Sequence, residues 1–76
     1  MNVKIDSSEI AGLLRKDDII FQQENDKYRI CNITESYVVA IYTGAFARMK
    51  SMLLSDLIKE CWYVEGSRFA PYSLPH

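Results

Sequence analysis

The residues best placed to do chemistry are Phe46, Arg48 and Lys50. In the stretch AFARMKSML an aromatic side chain and two cations recur at every second position, which on a β-strand places them on one face. An aromatic ring can stack on a nucleobase and the cations can pair with phosphates, so the pattern fits a nucleotide or nucleic-acid contact. Tyr42, Tyr37 and Arg29 stand on segments expected to neighbour it. No acidic residue occurs between Glu35 and Asp56, which leaves this stretch locally cationic. The same residues also fit a protein-binding face, because Tyr, Trp and Arg are the side chains that anchor interfaces. A plainer reading is an exposed sheet face whose cations keep the chain soluble and discourage edge pairing.

Catalytic chemistry has few candidates. The one histidine, His76, is the last residue, where it has no neighbour to activate and reads as a solvated end rather than a general base. The serines therefore lack a base partner. Glycines at 12, 44 and 66 are too scattered to cradle a phosphate. Cys31 and Cys61 with a terminal histidine do not make a metal set, and both cysteines read as reduced core residues. Asp17 and Asp18 are adjacent and read as a solvated turn. No catalytic residue, cofactor or metal site is assigned, and a non-catalytic protein is expected.

The elements that would position these residues follow from periodicity. Val3 and Ile5 alternate with polar residues as a short strand. Asp6 reads as a helix N-cap with Glu9 completing a capping box and Ile5 and Ile10 forming a hydrophobic staple. Ile10, Leu13 and Leu14 continue a helical stripe to near Lys16. DDIIFQQ is a strand, ENDK a hairpin turn, and KYRICNIT a strand with Tyr28, Ile30 and Asn32 on one face. YVVAIYT is apolar throughout and reads as a strand covered on both sides. AFARMKSML is the next strand. Ser55 caps a short helix, DLIKEC, with Leu57, Ile58 and Cys61 inward, and WYVE is the last strand. The implied fold is α+β: a small curled antiparallel sheet or an SH3-like, partly open barrel, with an N-terminal helix and a short helix before the last strand. Residues 1–66 form one domain, and 67–76 a C-terminal tail in which Phe69 and Tyr72 are candidate contacts.

Totals bound the rest. With 76 residues the chain is a single domain, and a chain of this size buries only about 60% of the surface that its unfolded form exposes. Hydrophobic residues make up 49%, enough for a core and for some apolar surface besides. A core this small gains from association, so a homo-oligomer is one expectation. The net charge of −1 is not the footprint of a dedicated nucleic-acid binder. MNVKIDSSEI is too polar for a signal peptide, and no run nears the roughly 20 apolar residues of a membrane helix, so a cytoplasmic protein without membrane contact is expected.

The stretch SMLLSDLIKECWYVEG, a short capped helix leading into an aromatic-rich strand, resembles the C-terminal layout of small phage- and prophage-encoded proteins. It is similar to the close of the anti-Thoeris sponge family of defence inhibitors, where a leucine–aspartate helix precedes a tryptophan strand. The likeness covers sixteen residues, 51–66. The basic, Gly-Trp N-terminal region of that family has no counterpart here, and no binding residue carries over. The resemblance implies a phage or mobile-element accessory protein, such as a defence inhibitor. Small size, the lack of catalytic chemistry, the aromatic content and the near-neutral charge in turn fit a non-catalytic binding protein, of the defence or anti-CRISPR type, that occludes a host protein. The alternative is a small nucleotide- or nucleic-acid-binding barrel that uses the Phe46, Arg48 and Lys50 face.

Overall fold

The computed structural model describes residues 2–66 and Phe69. In chain order the elements are β1 (Asn2–Lys4), α1 (Ser8–Ala11), β2 (Ile19–Phe21), β3 (Lys27–Ile33), β4 (Tyr37–Tyr42), β5 (Met49–Leu53), α2 (Leu54–Lys59) and β6 (Tyr63–Glu65). All strand pairs are antiparallel, in the order β1-β6-β2-β3-β4-β5. The α+β class and the element order agree with the sequence. The sheet does not close into a barrel: β1 and β5 are its two edges. The last strand inserts between β1 and β2, a non-local pairing that local periodicity cannot reveal.

Both helices pack on one face of this sheet and against each other. That covered face carries Val3, Ile20, Ile30, Val38, Ala40 and Val64, and with Ile10, Leu14, Leu57 and Trp62 they form the core. The strand signal is the alternation: on β4, Val38 and Ala40 are buried, whereas Tyr37 is exposed and Val39 and Ile41 are half-buried. β4 is therefore covered on one side among the described residues, not on both. Its apolar outward positions had suggested a second cover.

Local chemistry moves several boundaries. The helix cap is Ser7, not Asp6: its extended backbone lets Oγ accept from the Ile10 N–H at 3.3 Å. α1 then ends at Ala11, well before Lys16, and Leu13 is exposed. Asp18, read as solvated, is buried, and its Oδ2 accepts the Arg15 N–H at 2.7 Å while its own N–H bonds to the Arg15 carbonyl at 3.2 Å, which closes the turn into β2. On β3 the register slips between Ile30 and Asn32. The bulge at Cys31 turns Ile33 toward the core and leaves Asn32 exposed.

α2 ends in a Schellman motif. The Cys61 N–H bonds to the Ile58 carbonyl (3.2 Å) and the Trp62 N–H to the Leu57 carbonyl (3.0 Å), with Cys61 in the left-handed region at φ 59. The motif turns Cys61 out to solvent, against the expectation that it faces inward, and seats Trp62 in the core beside Leu57. Both cysteines are free thiols. Beyond β6, Gly66 takes φ 150, a conformation open to glycine. The Phe69 N–H returns to the Gly66 carbonyl at 3.2 Å, and the Phe69 ring is buried at 0% exposure. Phe69 is thus a core residue rather than a free contact of the tail. Tyr72 lies outside the described residues.

Candidate binding surfaces on β4 and β5

The hairpin between β4 and β5 decides which of the candidate residues meet. Its ladder ends where the Tyr42 N–H bonds to the Arg48 carbonyl at 2.8 Å. Thr43 leaves β5 and bonds instead to the Lys27 carbonyl, through both N–H and Oγ1 at 2.9 Å each. Residues 43–47 are therefore a loop and not the start of a strand. Phe46 lies in that loop, 81% exposed, and shares no strand face with Arg48 and Lys50. A Cβ on Gly44 would collide with the Tyr42 ring, so glycine lets the loop fold over that ring.

Arg48 and Lys50 do share the covered face, at the end that the helices leave free. The Arg48 guanidinium stands 4.5 Å over the Tyr42 ring and the Lys50 ammonium 5.5 Å over Trp62. Tyr28 links the two rings, at 5.4 Å from Tyr42 and 5.8 Å from Trp62. The Tyr42 hydroxyl donates to Asp26 Oδ1 at 3.1 Å, which together with burial raises its pKa above the ordinary 10.0, against a lowering by Arg48. Trp62 Nε1 donates to Glu60 Oε1 at 3.1 Å. Gln22, Gln23, Asp26, Tyr28, Lys50 and Trp62 line a cavity of about 110 Å³ here. That is smaller than the roughly 300 Å³ at which ligand pockets begin, and both cations already rest on rings of their own domain.

The opposite, open face carries the other candidates. Arg29 lies there, on the opposite face from Arg48, and its guanidinium pairs with Asp17 at 3.2 Å. Such an exposed pair contributes little. Tyr37 stands at the far end of β4, opposite Leu53 of β5. The next rows on this face are Val39 opposite Ser51 and Ile41 opposite Met49. Met49 is 70% exposed, Leu53 51% and Tyr37 37%, so an apolar band runs along the sheet margin.

Toward the other margin the same face is covered by its own side chains. Phe21 stacks on Tyr63 at 5.6 Å, and Lys27 lies over Phe21 while pairing with Glu65 at 2.6 Å. The Glu65 carboxylate, and behind it Glu24, holds the Lys27 pKa above its ordinary 10.5, against a smaller lowering by burial.

Met49 and Leu53 were not singled out from sequence, although their alternation with Lys50 and Met52 carried the signal. Among the described residues no three His, Cys, Asp or Glu side chains gather as a metal site would, and no helix is long and apolar enough to cross a membrane. What the fold and these surfaces define is a small α+β domain with an open antiparallel sheet and an exposed apolar margin. Comparison with protein-family models, curated proteins and solved structures finds no match for this chain.

Proposed function

We propose that the chain is a non-catalytic binding domain that docks a protein partner on the open face of β4 and β5. The observation that carries this reading is the band of Tyr37, Met49 and Leu53, with Phe46 in the adjoining loop, all large, apolar or aromatic, and exposed. Side chains of this kind clustered on a small domain are the usual anchors of an interface. The partner class, a host protein occluded by a phage or mobile-element product in the cytoplasm, rests on the sequence alone: its small size, aromatic content and near-neutral charge, and the resemblance of residues 51–66. The test is capture from host lysate followed by substitution. A captured protein should be lost, with the fold intact by circular dichroism, when Met49, Leu53 and Phe46 are changed together to Ser. A complex that survives the triple change removes this face from consideration.

A second reading is favoured by one arrangement, the alternation of Arg48, Tyr42, Tyr28, Trp62 and Lys50 at the free end of the covered face. A nucleotide or single strand could displace the two cations from their rings onto its phosphates and stack on the rings it uncovers. Trp62 is the one tryptophan and reports directly. Its fluorescence should be quenched by oligonucleotides or cyclic nucleotides at low salt, with affinity falling as salt rises. Emission that ignores both ligand types rules this reading out.

A further inference from the structure

We infer that the β5 edge pairs with the β5 edge of a second copy, in antiparallel register about Ser51. Backbone direction comes first. The Arg48 carbonyl and the Leu54 N–H both bond into the hairpin, to Tyr42 and Ser36, so by the alternation of an antiparallel ladder the even-numbered residues of β5 bond toward β4. The N–H and C=O groups of Met49 and Ser51, and the Leu53 N–H, therefore point away from β4, along an edge that no described strand pairs with; the Leu53 carbonyl, at the N-cap, opens α2 instead. Pairing β5 with all five of its residues in continuous register to β4 leaves it straight, with no bulge and no proline. Those are two of the devices that normally blunt an edge.

The third device is a charge, and Lys50 is the charge available. It does not guard the edge, because its side chain leaves on the covered face and lies over Trp62.

Register then selects the occupant. With Ser51 opposite Ser51 of the second copy, Met49 faces Leu53 and Leu53 faces Met49, so the two Ser51 residues exchange both of their hydrogen bonds and each Leu53 N–H meets a Met49 carbonyl. Lys50 faces Met52 rather than another lysine. Sliding by one pairing step in one direction opposes Lys50 to Lys50, and in the other leaves Met49 beyond the partner strand. The self-complementary register is thus the one that keeps all five residues of both strands paired and separates the like charges. It also carries Arg48 to the start of the second copy's α2, whose first turn bears Asp56. Pairing joins two six-stranded sheets into one and sets the two apolar open faces side by side. It does not rest on the binding of a host protein: self-association and partner capture are separate measurements, and either can fail alone.

Sedimentation equilibrium of the full 76-residue chain, from about 5 to 500 micromolar, reads the proposal directly. The apparent mass should rise with concentration from 8.8 kDa toward twice that value. Ser51→Pro deletes the N–H on the symmetry axis without touching the β4 ladder, and should weaken the dimer about tenfold or more. Ser51→Lys opposes two ammonium groups across the axis and should weaken it about threefold or more. If the proline variant fails to fold, the exposed lysine variant decides. A mass of 8.8 kDa at every concentration, or a dimer that tolerates the folded variants, overturns the assignment.

Discussion

The two faces of one strand carry different work. On β4, Val38 and Ala40 are sealed against the helices, whereas Tyr37, Val39 and Ile41 between them look outward over Met49, Ser51 and Leu53. Both sets are predominantly apolar, so composition does not separate them. Cover does: α1 and α2 supply it on one side, while on the other the Phe21, Tyr63 and Lys27 cluster reaches only the opposite half of the sheet. One face holds the fold together and the other retains apolar surface beyond what the fold uses.

The sharpest contrast should appear between Trp62 and the open margin. Trp62 is 1% exposed, touches Tyr28 and closes the α2 motif, so Trp62→Ala should cost about 3–5 kcal/mol. Leu53→Ala and Met49→Ala should each stay within about 0.5 kcal/mol. Urea unfolding compares them, and a Leu53→Ala cost near that of Trp62→Ala would mean that the margin belongs to the fold.

Asp18 tests whether the covered side relies on apolar contact alone. Its carboxylate is buried and accepts the Arg15 N–H, while its backbone ties to Ile30 through the Ile30 N–H at 2.9 Å. Asp18→Ala keeps the backbone bonds and orphans the amide, for a cost of about 1–2 kcal/mol. Asp18→Asn should recover most of this, because its amide oxygen still accepts. Equal losses for the two variants would place the effect elsewhere.

How much of this was legible in the sequence follows from which forces are local. Element order came through because alternation on β1 and β3, the apolar β-branched run of β4 and the polar ENDK turn are local patterns. Arg48, Lys50 and Met52 were correctly placed on one face for the same reason. Phe46 was not, because the strand yields to a loop where Thr43 bonds across to Lys27, and that partner is sixteen positions away. The Cys31 bulge escaped for a similar reason, since it is set by the register with β4. Phe69 looked like tail because prolines follow it, yet its N–H returns to the Gly66 carbonyl and its ring packs into the core. The open apolar margin was hidden because an all-apolar strand reads as doubly covered unless the layers are known.

Cys61 breaks the simple rule that exposure means indifference. It is exposed, yet it occupies the left-handed position of the α2 terminus at φ 59, where a side chain is unfavourable by roughly 1 kcal/mol. Cys61→Gly should therefore stabilise the chain by up to about 1 kcal/mol, part of the gain being offset by a more flexible unfolded state. Cys61→Val should destabilise it. Thermal unfolding ranks the three, and a glycine variant less stable than the parent would show that the thiol makes a contribution of its own.

The smallest effect compares one titrating group from each face. Lys27 on the open face and Tyr42 on the covered face both have pKa values raised above their ordinary 10.5 and 10.0, the first chiefly by its hydrogen bond to Glu65 and the second by its hydrogen bond to Asp26. For a raised value the folded state holds its proton longer than the unfolded chain does. The associated stability is complete below the unfolded pKa and is lost as pH climbs through the folded one. The melting temperature should thus be level through neutral pH with respect to these groups and fall above about pH 10. Tyr42→Phe removes the covered-face share and Lys27→Met the open-face share, so each variant should fall less steeply than the parent over that range. Ultraviolet titration of Tyr42, by difference between the parent and Tyr42→Phe, locates its ionisation separately. A parent curve that declines well below pH 9, or one that neither substitution flattens, would detach alkaline sensitivity from these two pairs.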